Sequence, residues 1–136
     1  MLERILSRTS VLEKSLDASS LRNEAISQNI SNVDTPGYKR KTVSFEEQLK
    51  SALNTSSVSG FRTHVKHIPT GNKNVSDIDI KITQDGKQLD MRLDGNNVDI
   101  DSEMAQLAKN TIKYDVLAQK ISGDFRKIKS VINEGR

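Results

Sequence analysis

The sequence predicts a mainly α protein in which long N- and C-terminal helices pair as an antiparallel coiled-coil-like hairpin around a small irregular or β-hairpin middle segment. Three observations carry this. Apolar residues recur at an average spacing of about 3.5 at both ends of the chain. Neither Gly nor Pro interrupts the first run before Pro36. Between the runs the texture changes to turn residues and two-residue alternation. The expected division is 1–33 for the first helix, 34–97 for the middle and 98–136 for the second helix, together forming one structural unit.

For the first helix, steps of four and three from Ile5 reach Thr9, Leu12, Leu16, Ser19, Asn23, Ile26, Ile30 and Val33. That repeat holds one stripe of a helix against a partner helix. Thr9, Ser19 and Asn23 are polar, which weakens the seam and suits them to fixing its register. A helix of about 30 residues extends roughly 45 Å at 1.5 Å per residue.

In the middle, Asp34-Thr35-Pro36-Gly37 is a turn signal. Pro36 presets the first turning residue and Gly37 is free to take positive φ. Phe45, Leu49 and Leu53 are spaced for a short helical piece, and the Ser/Thr-rich stretch from Ser51 to Gly60 reads as loop. Ile78, Ile80 and Ile82 alternate with polar residues, as do Leu89, Met91 and Leu93. With Gln84-Asp85-Gly86-Lys87 between them they predict a β-hairpin. Asp94-Gly95-Asn96-Asn97 returns the chain to the second helix.

That helix repeats the seam through Met104, Leu107, Thr111, Tyr114, Ala118, Ile121, Phe125, Ile128 and Ile132. Asp99, Asp101 and Glu103 crowd its start, while Arg126, Lys127 and Lys129 lie near its end. This polarity complements the helix dipole. Gly123 costs about 1 kcal/mol relative to alanine, which a helix of this length survives.

Composition narrows the functional classes. Of 136 residues 34% are hydrophobic and 4% aromatic, with no Trp, so a single dense core is hard to build and the helices are expected to need partners along their length. Their termini are expected to fray until neighbours cover them. The net charge of +3 is spread over interleaved acids and bases. Lys39-Arg40-Lys41 alone is too short to be an electrostatic footprint for nucleic acid. Without cysteine, disulfides, thiolate zinc sites and thiol catalysis are excluded. No apolar run approaches the ~20 residues of a membrane span. The N-terminal residues lack the apolar stretch of a cleavable secretory signal.

No catalytic, cofactor or metal constellation emerges. His64 and His67 have the spacing of two helical metal ligands, but lie in a segment ending at Pro69 with no nearby acid. Asp94 to Glu103 departs from a calcium loop at Val98 and places Gly95 too early, so helix capping accounts for its acids. Asp77 and Asp79 alternate with isoleucines and read as the solvated face of a strand. The expectation is a non-enzyme with no cofactor and no small-molecule substrate.

The segment Ser27-Gln28-Asn29-Ile30-Ser31-Asn32-Val33-Asp34-Thr35-Pro36-Gly37-Tyr38-Lys39-Arg40 is more specific than periodicity. Asn29 and Asn32 sit one helical turn apart, where amides bond backbone groups or a neighbour as a helix ends. Gly37 permits the sharp exit that Tyr38 anchors. Asn29-Ile30-Ser31-Asn32 followed by Thr35-Pro36-Gly37-Tyr38-Lys39 resembles the N-terminal signature of the flagellar basal-body rod and hook protein family. Gly95-Asn96-Asn97-Val98-Asp99-Ile100-Asp101, Glu103-Met104-Ala105, Asn110, Tyr114 and Ser122-Gly123-Asp124-Phe125-Arg126 look like the C-terminal helix of its short proximal-rod members. Ser27 and Ser31 stand where that family often has alanine. Residues 51–94 carry little of the resemblance, and the short chain argues against the hook and distal-rod members.

The resemblance implies a structural rod subunit that polymerises into the axial tube, transmits torque and surrounds the export channel. It implies residence in the basal body and export without a cleaved signal peptide. The implied partners are other rod subunits (copies of itself and the FlgC type), the rod-base adaptor FliE, the membrane ring and, in transit, the flagellar export apparatus, with no nucleic acid. The expected assembly seam is Leu12, Leu16, Ile26, Ile30, Met104, Leu107, Tyr114, Ile121, Phe125 and Ile128. The signature residues are Asn29, Asn32, Thr35, Gly37, Tyr38 and Lys39. A coiled-coil adaptor or export chaperone is the alternative that periodicity alone permits.

Overall fold

The computed structural model of the chain describes residues 2–54, 64, 78–84 and 93–134. Two helices dominate, α1 (Leu2–Ser31) and α3 (Ile100–Glu134). Between them come β1 (Lys41–Val43), α2 (Glu46–Asn54) and β2 (Ile82–Gln84). Most of the described residues are helical, so the strands are an accessory to the helix pair rather than its foundation. The helices run antiparallel: the Asn29 end of α1 lies beside Glu103 and the middle, Ser19, beside Asn110.

The start of α3 is set by Asp99, whose carboxylate accepts from the Asp101 amide at 3.1 Å and so occupies the N-cap. At the other end of the connection, Asn32 and Val33 amides bond back to the carbonyls of Asn29 and Ile30, the tightened last turn that precedes Pro36. Tyr38 N then reaches Thr35 O at 3.3 Å. Pro36 and Gly37 are the central residues of this turn, and Gly37 takes φ +70°, the pattern of a type II turn. The expected roles of Pro36 and Gly37 hold.

Strands β1 and β2 pair antiparallel, with Lys41 opposite Gln84, Thr42 opposite Thr83 and Val43 opposite Ile82. Ile82 thus lies in a strand as expected, but its partner is a segment the sequence reading left unassigned, just after the turn. Leu89 and Met91, the other arm of the expected hairpin, lie outside the described residues. Leu93, expected in that arm, is instead exposed in the turn leading to Gly95. The short helix anticipated from Phe45 and Leu49 is α2, opened by the bond from Leu49 N to Phe45 O at 2.8 Å.

One group of buried apolar residues joins α1 to the middle segment. Ala18, Phe45 and Ile78 form a cluster, with Leu49, Ala52 and Ile80 packed against it. Small Ala18 and Ala25 sit two turns apart on α1 and are both buried, which lets the middle segment approach that helix closely. α1 therefore serves two neighbours, presenting one face to the middle segment and an adjacent face to α3.

Candidate functional site

The signature segment and the start of α3 meet in one buried polar junction. Asn29, fully buried on α1, uses all four of its hydrogen-bonding positions. Its amide donates to Lys41 O at 2.9 Å and to Glu103 Oε2 at 3.1 Å. Its oxygen accepts from Lys41 N at 2.8 Å and from the Tyr38 hydroxyl at 3.3 Å. One side chain thereby ties the end of α1, the first residue of β1 and the first turns of α3. Tyr38 is raised above the usual phenol range by burial first and by the Glu103 charge second, which keeps its hydroxyl a donor.

Glu103 is 1% exposed, a carboxylate that needs partners to stay inside. Arg40 Nε meets Oε1 at 2.5 Å while Asn29 holds Oε2. The sequence reading assigned Glu103 to the helix dipole and Arg40 to a short basic cluster. The fold pairs them across 63 residues. Removing either partner strands a buried charge, which costs about 3–5 kcal/mol.

Asn96 and Asn97 complete the junction from the connection. The Asn96 amide donates to three carbonyls in the turn after α1, Asn32 at 3.0 Å, Val33 at 2.9 Å and Thr35 at 2.9 Å. They are the carbonyls of the turn that carries the chain out of α1, and Asn96 holds that turn in place. Its oxygen accepts from Val98 N at 2.8 Å, so the same residue also shapes the entry to α3. Asn97 Oδ1 accepts from Arg40 N at 2.7 Å. Gly37 N donates to Asp94 O at 2.9 Å, and Lys39 Nζ to Gly95 O at 2.8 Å. Gly95 takes φ +76°, and a Cβ there would stand 3.8 Å from the Cα of Gly37, an ordinary contact, so its positive φ rather than crowding favours glycine.

Further along the pair, Asn110 donates to Ser19 O and to Asn23 Oδ1, both at 2.7 Å, and accepts from Arg22 Nη1 at 3.3 Å. The polar seam positions Ser19 and Asn23 thus meet a polar residue on the opposite helix, which fixes the stagger of one against the other. Arg22 also bonds Glu46 Oε2 at 2.6 Å, and Lys113 reaches the other oxygen of the same carboxylate. Burial pushes the Glu46 carboxyl up. The bonds from Lys113 and its own backbone, together with the Arg22 charge, outweigh that and bring it down to about 2. Glu46 joins α2 to both long helices.

The expected seam residues divide by position. Ile26 is buried, and Leu12, Leu16, Ile30, Leu107, Tyr114, Ile121 and Ile128 are half-buried. Met104 and Phe125 are 52% and 56% exposed. The α3 stripe that turns inward at the junction contains Glu103 and Asn110, one residue off the apolar series through Met104 and Thr111. Leu16 on α1 and Ala118, Ile121, Ser122 and Phe125 on α3 line an open apolar groove of about 440 Å³, bordered by Arg126 and Lys129. Of the signature residues, Asn29 is buried, Asn32, Tyr38 and Lys39 are half-buried, and Thr35 and Gly37 are exposed. Asn32 accepts from the Thr35 hydroxyl at 3.2 Å and donates to Gln28 O at 2.7 Å. Asn96, Asn97 and Arg40 are structural members of the junction that sequence reasoning did not single out by role. The density of Asn after Gly95 was the available signal.

Among the described residues, no group of three or more His, Cys, Asp or Glu is placed to hold a metal ion, and no helix is long and apolar enough to cross a membrane. His64 is exposed, and His67 lies outside the described residues. The fold and junction define a class: a long antiparallel helix pair, locked by a polar junction at one end and carrying an open apolar groove toward the other.

Comparison with known proteins gives that class a family. Residues 11–39, which hold the signature segment, match the flagella basal body rod protein model. The flagellar basal body rod protein FlgB of Bacillus subtilis is 34% identical over 92% of this chain and 92% of its own length. FlgB of Borrelia hermsii is 38% identical over 86% of this chain and 89% of its own, and FlgB of Escherichia coli K12 is 29% identical over 99% of each. The chain belongs to the flagellar basal body rod protein family, on its FlgB branch.

Proposed function

We propose that this chain is a proximal-rod subunit that polymerises into the axial tube of the flagellar basal body, a tube that transmits torque and surrounds the path of export. Its role is mechanical rather than catalytic. The observation that carries this reading is the contrast between a junction with every buried polar side-chain atom partnered and a helix pair whose apolar groove stays open to solvent. A locked junction sets the angle at which the middle segment leaves the helices. An uncovered groove supplies the surface on which further helices pack.

Head-to-tail packing of this kind uses unlike surfaces on each subunit, and need not close into a ring. The neighbours on this reading are copies of the chain, the FlgC-type rod protein, the rod-base adaptor FliE and the membrane ring, reached by way of the flagellar export apparatus. Leu12, Leu16, Ile26, Ile30, Met104, Leu107, Tyr114, Ile121, Phe125 and Ile128 serve as the assembly seam. Asn29, Asn32, Thr35, Gly37, Tyr38 and Lys39 hold the exit geometry.

The test is to delete the gene, score swimming and image the remaining basal bodies by electron microscopy. Membrane rings without rod or hook, restored by complementation, are the expected result. Intact rods and normal motility in the deletion would overturn the reading.

A further inference from the structure

The faces of α1 and α3 turned away from their shared seam are unlike each other in charge. On α1, Glu13, Asp17, Ser20, Glu24 and Ser27 advance in steps of four, three, four and three residues and are all exposed. That is a single solvent-facing stripe with acids and no base. On α3, Ala105, Lys109, Ile112, Val116 and Lys120 advance in steps of four, three, four and four residues and are all exposed, a comparable stripe with lysines and no acid, and Lys127 lies two turns further on, past the half-buried Asp124. At its centre Ile112 and Val116 are 67% and 60% exposed, β-branched apolar side chains held in water on the face opposite the buried Glu103 and Asn110. Lys120 and Lys127 share Asp124 only loosely, at 3.9 and 3.8 Å, and such exposed pairs commit neither lysine.

We propose that the basic-apolar stripe of α3 docks the acidic outer stripe of α1 from a second copy of this chain. The occupant is argued from charge complementarity. Each stripe follows the three-four spacing of a helix-packing face, and the acids Glu13 and Glu24 are as far apart along their helix as Lys109 and Lys120 along theirs, eleven residues or about 16 Å. Like would repel like, so two α1 stripes or two α3 stripes do not pair, and the contact is heterologous. One copy offers its α3 stripe to a neighbour and its α1 stripe to another, so the association propagates instead of stopping at a dimer. Ile112 and Val116 come out of water against Ser20 and the aliphatic stems of the flanking acids. This deepens the rod-subunit reading and rests on it for the biological context.

The chain has no cysteine, so introduced cysteines report one contact each. Copies carrying Ser20→Cys are mixed with copies carrying Val116→Cys, both full length, and disulfide formation is followed as concentration rises. The expected result is a mixed cross-link well above that of a control pair, Ser20→Cys with Ser102→Cys, and above Val116→Cys with itself. Lys109→Glu with Lys120→Glu in the α3 donor should lower the yield about tenfold at low salt, and Glu13→Lys with Glu24→Lys in the other copy should restore it. These positions are exposed, and an unchanged circular dichroism melt checks that each variant is folded. A cross-link no stronger than the control, indifferent to charge reversal, or equally strong between two Val116→Cys copies overturns the proposal. Loss of rods in the gene deletion alongside such a negative cross-link would leave the subunit reading standing and discard only this interface. Intact rods alongside a positive one would do the reverse.

Discussion

The two ends of the helix pair solve the problem of a sparse apolar composition differently. At the junction, where α1 ends and α3 begins, the interior is polar: Asn29, Asn96, Asn97 and Glu103 are buried with Arg40 closing the charge. At the far end, beyond Asn110, the facing residues are apolar but uncovered, with Leu16, Ile121 and Phe125 around an open groove. A polar interior is costly unless satisfied and unique once it is, because each donor admits one arrangement. An apolar groove is tolerant of partner and register. The junction therefore specifies geometry within one chain, and on the proposed reading the open end is left for association.

The largest effect that could break this contrast is at Glu103. Glu103→Ala leaves Arg40 without its partner and the Asn29 amide with one acceptor of two, and should cost about 3–5 kcal/mol in denaturant unfolding of the purified chain. Asn29→Ala removes four bonds in the same place and should cost about 3 kcal/mol, with Lys41 N left unpaired. A loss below about 1 kcal/mol for both would mean the junction is not what holds the helices.

At the open end the same truncation should read differently. Phe125→Ala is expected to change monomer stability by less than about 1 kcal/mol, since the ring is already half in water. Phe125→Asp should nonetheless abolish swimming at normal protein levels, by placing a charge in a surface that neighbours must dehydrate. Stable monomers with failed assembly are the signature of an association face.

Smaller effects sharpen the boundary between the regions. Gly37→Ala meets no steric obstacle, so its cost is the positive φ alone, about 1–2 kcal/mol. Acid should act through Glu46. Its folded carboxyl lies near 2 and its ordinary value at 4.5, so the stability it contributes is present above about pH 4.5 and is lost as pH falls toward 2. Because Glu46 is half-exposed the amplitude is modest. Glu46→Gln should flatten that limb of the acid-unfolding curve and lower stability at pH 7 by the limb's modest amplitude, while leaving stability near pH 2 unchanged.

The fold was legible where a local rule governs. Periodicity placed α1 and α3, the Pro36-Gly37 pair placed the turn, and polar Ser19 and Asn23 in the seam signalled a register device that Asn110 completes. Legibility failed where distant segments decide. An acid in the first turns of a helix is fully explained by the dipole, so nothing local marks Glu103 as buried, and its Arg40 partner comes close only through the fold. Strand β1 is three residues long and begins within a basic cluster, with no alternation long enough to detect. The half-exposed Met104 and Phe125 show the remaining difficulty: an apolar repeat reports that a face is covered, without reporting whether the cover belongs to the same chain.

Native-state hydrogen exchange on the isolated chain tests the central claim most directly, because it reads local opening along one continuous helix. Amides of α3 near Glu103 and Asn110 should exchange only with global unfolding, while those from about Ile121 onward should open far more readily and gain protection in isolated basal bodies. Equal protection along α3 in the dilute monomer, or weaker protection at the Glu103 end than at Phe125, would contradict a locked junction with an open association face.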